Sequence, residues 1–298
     1  MMRSYLLLLF CVTCWGSNFV FGSMLVHEFP PLLLSALRLT ATSLFLLSYA
    51  WGTRRLRLLT RRDYLILVPL GFIGTLLNQA AFFTGLTTVS ATTAALILSL
   101  APITTALLAA VFLKEALTPR MALGSVIAIL GIFLVVGQSG GFAVSRGIVY
   151  IGIAMLTFAA SIVMMRKLTE RIDPFIATVY STVIGTTMVI PAAVIREPLQ
   201  VSTHPWAWML LIVTAILMQG MCGLIWNTQL RRVGAGKAAV FLNLQPFAAM
   251  LAGFLLLGTP VTAMQMAGSL LIVGGVGFAT LKKKDKAAEA LAPGVSAT

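Results

Sequence analysis

The side chains with chemistry to offer are few, and most are uncharged. Only 10% of the 298 residues are Asp, Glu, Lys or Arg. The eight acids (Glu28, Asp63, Glu115, Glu170, Asp173, Glu197, Asp285 and Glu289) all fall beside turn-forming stretches or at the edges of apolar runs. One cation, Arg38, stands inside such a run, with no acid in any run to pair with it. An ionisable group at that depth is costly, which makes it a functional suspect. Two roles are open to it: attraction of a carboxylate, or a structural reach to backbone carbonyls or to a helix C-terminus near the basic-loop half of its run. The snorkelling reach of a long cationic side chain favours the structural role.

Uncharged polar and aromatic groups are more numerous and recur at helical spacing. Gly71, Thr75, Asn78 and Phe82 follow one another at intervals of four, three and four, and Ala215, Gln219, Cys222 and Trp226 repeat that spacing later in the chain. Each set predicts one stripe on a helix. Gln79 and Asn227 adjoin these stripes, and Trp15 and Asn18 share a helical face of their own. Amides can hydrogen-bond a zwitterionic head and rings can cover an apolar side chain, while small and amide residues also bind helices to one another. Ser99 and Asn243 precede Pro102 and Pro246 by three residues. A proline within a run frees a carbonyl from its partner, so these two are candidate hinges or plain packing kinks. Cys11 and Cys14 form a C-x-x-C in an apolar helix without a second ligand pair and read as buried thiols, and with Cys222 there are too few for a disulfide framework. The sequence contains no G-x-x-x-x-G-K and no H-E-x-x-H, so the expectation is no nucleotide, no metal, no cofactor and no enzyme activity.

The elements that must position these groups follow from hydropathy. Hydrophobic residues make up 59% of the chain and the mean hydropathy is +0.99, which excludes two ordinary soluble domains and places the chain in a bilayer. Crossing the hydrocarbon takes about 20 apolar residues per helix. Ten runs qualify, at 4–26, 32–51, 64–86, 91–113, 120–137, 147–165, 175–195, 205–229, 237–257 and 261–281. The first is too long for a signal peptide and is expected to stay in the mature protein. Residues 282–298 begin with a lysine cluster and turn Ala-rich, the composition of a disordered basic tail.

The net charge of +13 is explained by where the basic residues sit. With the N-terminus taken as cytoplasmic, 18 of the 21 Lys and Arg fall on the cytoplasmic side. Only Arg146 and Arg196 fall on the other, and Arg38 lies within a run. That asymmetry orients the chain with both termini in the cytoplasm and removes nucleic acid as the explanation of the charge. The expected partners are lipid and a small molecule.

Sliding the chain over itself by 144 residues aligns its two halves without a gap. Between 89–131 and 233–275 there are 13 identities in 43 positions, among them Pro102 with Pro246, Gly124 with Gly268 and Gly131 with Gly275. Five runs per half is an odd number, so the second half enters the membrane from the opposite side. Inverted halves of this kind recur in carriers, though a duplicated scaffold alone is also open. The expected architecture is an all-α integral membrane protein of ten transmembrane helices in two inverted five-helix repeats: 1–137, a connector at 138–146, and 147–281.

The chain resembles EamA-type proteins of the drug/metabolite transporter superfamily through Trp15-Gly16-Ser17-Asn18-Phe19, through Pro30 and Arg38, and through Leu100-Ala101-Pro102 with Glu115 and Gly124. The resemblance spans essentially all of 4–281. It implies a five-plus-five carrier of the bacterial inner membrane that exports small metabolites, most similar to amino-acid exporters, aromatic ones included. The second half has Thr182 and Thr259 where the first has Arg38 and Glu115, so any role of those charges belongs to one half only. The predicted topology is checked by thiol labelling: cysteines introduced at Thr60 and at His204 should react with an impermeant maleimide from opposite faces of the membrane, and reaction from the same face would overturn the inverted arrangement.

Overall fold

Hydrocarbon offers no partner for backbone N–H and C=O groups, so an apolar chain crosses it as helices that satisfy themselves. The computed structural model describes residues 2–56, 59–113, 119–136, 145–199, 201–233, 241–242 and 244–280, and the described residues are helical with short connectors. The ten membrane helices are α1 (Met2–Leu25), α2 (Pro31–Gly52), α3 (Arg61–Leu86), α4 (Ala91–Leu98 and Ala101–Leu113), α5 (Pro119–Val136), α6 (Arg146–Thr169), α7 (Pro174–Arg196), α8 (Pro205–Val213 through Thr214–Met221 to Cys222–Val233), α9 (Gln245–Leu257) and α10 (Ala263–Thr280). The tail at 282–298, Glu115 and Asn243 lie outside the described residues, as does the side chain of Asn227.

Local chemistry sets the ends. Proline occupies the first position of α2, α5, α7 and α8, where its missing N–H would be unpartnered in any case. Asp173 caps α7 by accepting from Phe175 N at 2.8 Å, and Asp63 closes a capping box with Thr60 at the start of α3. Gly258 stops α9 with φ of 62°, a left-handed turn that glycine adopts without a Cβ penalty.

The halves interlace, and each packs mainly against the other. α2 and α7 run antiparallel: Leu33 faces Glu197, Ser43 faces Thr186 and Tyr49 faces Phe175. α5 and α10 do the same, with Gly131 against Gly268 and Ile272, and Gly275 against Gly124 and Ala128. α1 packs on α8 and α9, and their repeat mates α6, α3 and α4 pack on one another in the same pattern. Because repeat-equivalent helices point in opposite directions, the structure is a ten-helix inverted-repeat membrane protein. The perimeter is apolar, with Leu6, Leu44, Val111, Phe112 and Ile195 exposed, whereas Ser35, Arg38, Thr42, Thr186 and Thr214 are buried. Water would favour the reverse; a bilayer favours this.

Two helices depart from the regular period assumed above. Gly71–Leu77 in α3 and Thr214–Met221 in α8 are π-helical and coincide, within one residue, under the 144-residue offset. α4 is broken rather than kinked. Ser99 and Leu100 leave the helix and Pro102 sits in the first turn of the next segment, as Pro246 does in α9.

The α5–α10 contact depends on absent side chains. A Cβ on Gly275 would stand 2.6 Å from Gly124 O, and one on Gly131 2.8 Å from Gly268 O. Backbone cannot move aside as a flexible side chain can. Gly275→Val is therefore expected to destabilise the purified protein by about 1–3 kcal/mol, read as an earlier thermal transition in detergent, whereas the same change at Gly274, which faces open space, should leave it nearly unmoved.

Candidate functional site

The π-helical turn in α8 creates the first part of the site. An i→i+5 turn displaces carbonyls from their usual donors and leaves them available to neighbouring helices. Two are taken by groups from the first half: Trp15 Nε1 donates to Met218 O at 2.6 Å, and Thr42 Oγ1 lies 3.1 Å from Ala215 O. Thr42 Oγ1 also lies 3.3 Å from Gln219 Oε1 and 2.9 Å from Arg38 O on its own helix. The Trp15 ring meets Trp226 at 5.0 Å between centroids. Residues of α1, α2 and α8 thus share one polar and aromatic junction between the halves.

Arg38 lies at the other end of this junction. It is 1% exposed, and its Nη2 donates to Asn18 Oδ1 at 2.7 Å. The guanidinium carbon stands 5.3 Å from the centroid of the Phe83 ring, within the range of a cation–π contact. Phe83 packs edge-on to Phe82 at 5.0 Å, and Phe82 in turn to Phe19 at 5.6 Å. Nε and Nη1 of Arg38 meet no hydrogen-bond acceptor. The structure also corrects the expected position. Arg38 is seven residues into α2 from Pro31 and fourteen from Gly52, so it lies nearer the end that holds Glu28 and His204 than the basic-loop end. It reaches neither a backbone carbonyl nor a helix C-terminus, because an amide oxygen and a ring are closer.

The predicted stripes do not survive as single faces. In the first half Gly71 and Thr75 abut Gly185 of α7. Asn78 Nδ2 donates to Ala154 O of α6 at 2.7 Å, with Thr157 Oγ1 at 3.3 Å, and Phe82 turns to α1. The π turn inserts a residue into the helical repeat, and each extra residue rotates the downstream face by about 100°. Gln79, half-buried, adjoins Asn78. In the second half Ala215 and Gln219 face α2 while Cys222 and Trp226 face α1. The repeats therefore match in position and differ in use. Ser99 stands apart from the junction, its hydroxyl bonded to Leu96 O at 2.6 Å. Pro102 and Pro246 open helix segments, and Pro246 is buried.

Phe83 and Thr42 had no distinguishing mark in the sequence, and Phe19 was marked only by its place in the Trp15–Phe19 motif. Phe83 is one apolar residue among many, and only the fold puts Arg38 over it. The C-x-x-C gains a partner from the other half: Cys11 Sγ donates to Cys222 O at 3.6 Å. No group of three His, Cys, Asp or Glu among the described residues is arranged to hold a metal ion. Near the N-terminal end of α8, Trp208 Nε1 donates to Ser202 O at 2.8 Å and its ring packs on Phe29.

The acids mark the ends of the bundle. Glu197 Oε2 accepts from Leu33 N at 2.9 Å and Glu28 bonds Ser202, both across the halves. At the opposite end Arg171 lies 3.7 Å from Asp63. Asn78 joins helices of different halves, so Asn78→Ala should lower stability by about 0.6–1.7 kcal/mol. Gln79→Ala, which breaks no interhelical bond seen in the structure, should lower it less in a side-by-side melt in detergent.

Comparison with known proteins accords with this arrangement. The model of the EamA-like transporter family matches residues 2–137 and again 145–281, one match per repeat. The uncharacterized transporter YyaM of Bacillus subtilis is 29% identical over 282 residues, covering 91% of this chain and 92% of its own. The uncharacterized transporter YdfC of the same organism is 30% identical over 272 residues, covering 90% and 88%. An uncharacterized transporter of Archaeoglobus fulgidus is 27% identical over 288 residues, covering 95% and 100%. A solved structure described as a crystal structure of a protein has a TM-score of 0.70 at 18% identity, covering 94% of this chain and 98% of that one, a likeness of fold. With two family matches tiling the inverted halves and relatives aligned end to end, this chain belongs to the EamA-like transporter family and is a membrane transporter.

Proposed function

We propose that the transporter exports small metabolites from the cytoplasm, chiefly amino acids with large apolar side chains, aromatic ones included, by alternating access across a bacterial inner membrane. The observation that carries this reading is the junction of α1, α2, α3 and α8. There the Trp15–Trp226 pair and the Phe19–Phe82–Phe83 row flank the polar groups of Asn18, Gln219 and Arg38. Rings of this kind cover an apolar side chain, and amides hydrogen-bond its polar head. The inverted halves supply two related assemblies, one opening to each side. The broken α4 and the π-helical turns of α3 and α8 are places where backbone can shift without loss of a regular helix. The basic-residue asymmetry supports cytoplasmic termini.

Transport in this reading runs down the substrate's own gradient, since the described acids Glu28, Asp63, Glu170, Asp173 and Glu197 stand at helix ends and connectors. Proton-coupled carriers commonly place the relay group within the membrane. A proteoliposome panel of amino acids, sugars and nucleotides, with and without a pH gradient, tests this. L-phenylalanine or L-leucine should exchange, with trans substrate accelerating uptake, at rates indifferent to the gradient. Strict proton dependence would overturn the uncoupled mechanism, and flux without trans acceleration would indicate an open pore. Trp226→Ala should lower that exchange about tenfold while leaving membrane insertion intact.

A further inference from the structure

The Arg38 guanidinium is the least compensated group in the described bundle. Taking a cation out of water costs several kcal/mol, which a protein offsets with a countercharge or a full set of hydrogen bonds. Arg38 has neither. One of its three nitrogens meets a neutral amide oxygen at 2.7 Å, one ring lies beneath it, and Nε and Nη1 have no acceptor. The described carboxylates are at helix ends and connectors, and Glu28, Asp63, Asp173 and Glu197 are engaged there as caps or in cross-half contacts, such as Glu197 with Leu33 N and Asp63 with Thr60 N.

The scaffold itself does not require the charge. The repeat-equivalent slot of α7 holds Thr182, and its neighbourhood packs through ordinary hydroxyl bonds: Thr186, the mate of Thr42, bonds Thr182 O at 2.8 Å just as Thr42 bonds Arg38 O at 2.9 Å. The same backbone arrangement therefore forms without a guanidinium. A cation kept at one of two equivalent positions, buried, with donors unspent and aromatic rings around it, is arranged for an anion brought by something else.

Resting on the amino-acid reading above, we propose that Arg38 is the carboxylate-recognition residue of the transporter: its unspent N–H groups hold the carboxylate of the solute, with the free Nδ2 amide of Asn18 as second donor. Charge-assisted hydrogen bonds from a guanidinium to a carboxylate are among the strongest available to a protein, and the low-dielectric surroundings strengthen them further. The Phe83 ring holds the plane of the guanidinium, and the neighbouring Phe82, Phe19, Trp15 and Trp226 are placed for the apolar remainder of the solute. The free carboxylate becomes the obligatory feature. A solute with the same side chain but an amide or no acid group leaves the guanidinium uncompensated, and discrimination on such polar groups is far sharper than on apolar ones.

The test compares four probes on the purified full-length protein by ligand-induced thermal shift and calorimetry: L-phenylalanine, 3-phenylpropanoate, L-phenylalaninamide and phenethylamine. The two acids should bind, and the amide and the amine should bind at least tenfold more weakly. Arg38→Gln should weaken binding of the acids at least tenfold and leave the amide and amine unchanged, with Arg38→Lys between the two. Equal binding of phenylalanine and its amide, acids bound by Arg38→Gln as by the parent, inorganic phosphate bound as well as the acids, or no binding by either acid would each overturn the assignment. The acid-against-amide comparison uses the unaltered chain, so it decides even if Arg38→Gln does not fold. If 3-phenylpropanoate binds through Arg38 while no amino acid crosses the proteoliposomes, the site stands and the amino-acid reading falls. If amino acids cross and the amide crosses equally fast, the reverse holds.

Discussion

The constraint beneath this structure is that hydrocarbon neither donates nor accepts hydrogen bonds. Every backbone group must be satisfied within its own helix, and every polar side chain at membrane depth must find a protein partner or an occupant. That requirement turns the protein inside out relative to a soluble one. Leucine, valine and phenylalanine face outward, and the buried polar residues, Ser35, Arg38, Thr42, Ser43, Thr186 and Thr214, gather where helices of the two halves meet. Ser, Thr and Asn bond carbonyls on their own or adjacent helices, as Thr40, Thr104 and Asn78 do. Where the helix is strained into a π turn, the exposed carbonyls of Ala215 and Met218 are met by Thr42 and Trp15. Arg38 is the buried cation for which this accounting does not close, its Nε and Nη1 meeting no acceptor.

Interlacing gives the duplication its mechanical meaning. If each half formed its own core, the two would rotate as separate bodies with a weak seam. Here α2 pairs with α7, α5 with α10, and α1 and α6 each lie against helices of the other half. The α5–α10 contact is closed by glycines at 124, 131, 268 and 275, which bring backbones together at a distance no side chain would allow. In the proposed alternating-access reading, conformational change would run by sliding and rotation along these shared interfaces. The broken α4 and the two π-helical turns are the irregular points of the backbone among the described helices.

Symmetry in backbone has not been kept as symmetry in chemistry. The third helix of each half bears a polar series at the same spacing, but in α3 it meets α6, α7 and α1 in turn, whereas in α8 it borders α1 and α2 beside Arg38. In the proposed reading, such divergence suits a carrier for an asymmetric solute, with equivalent halves for two-sided access and unequal linings for the unlike ends of one molecule.

Hydropathy and the 144-residue repeat sufficed for the number of helices and the inversion of the halves, because membrane insertion depends on segment-by-segment transfer energies that are local and additive along the chain; the family was legible through its motifs, such as Trp15–Phe19 and Leu100-Ala101-Pro102. The exceptional status of Arg38 was also legible, since a charge in an apolar run is conspicuous without any structure. What it touches was not. Pairing Asn18 with Arg38, placing Phe83 under the guanidinium and splitting the α3 series over three neighbours depend on a π turn that no spacing rule encodes and on contacts between residues tens to hundreds of positions apart. Those were settled by how ten helices share one interior, where a rotation of about 100° decides whether an amide binds a helix or faces a solute.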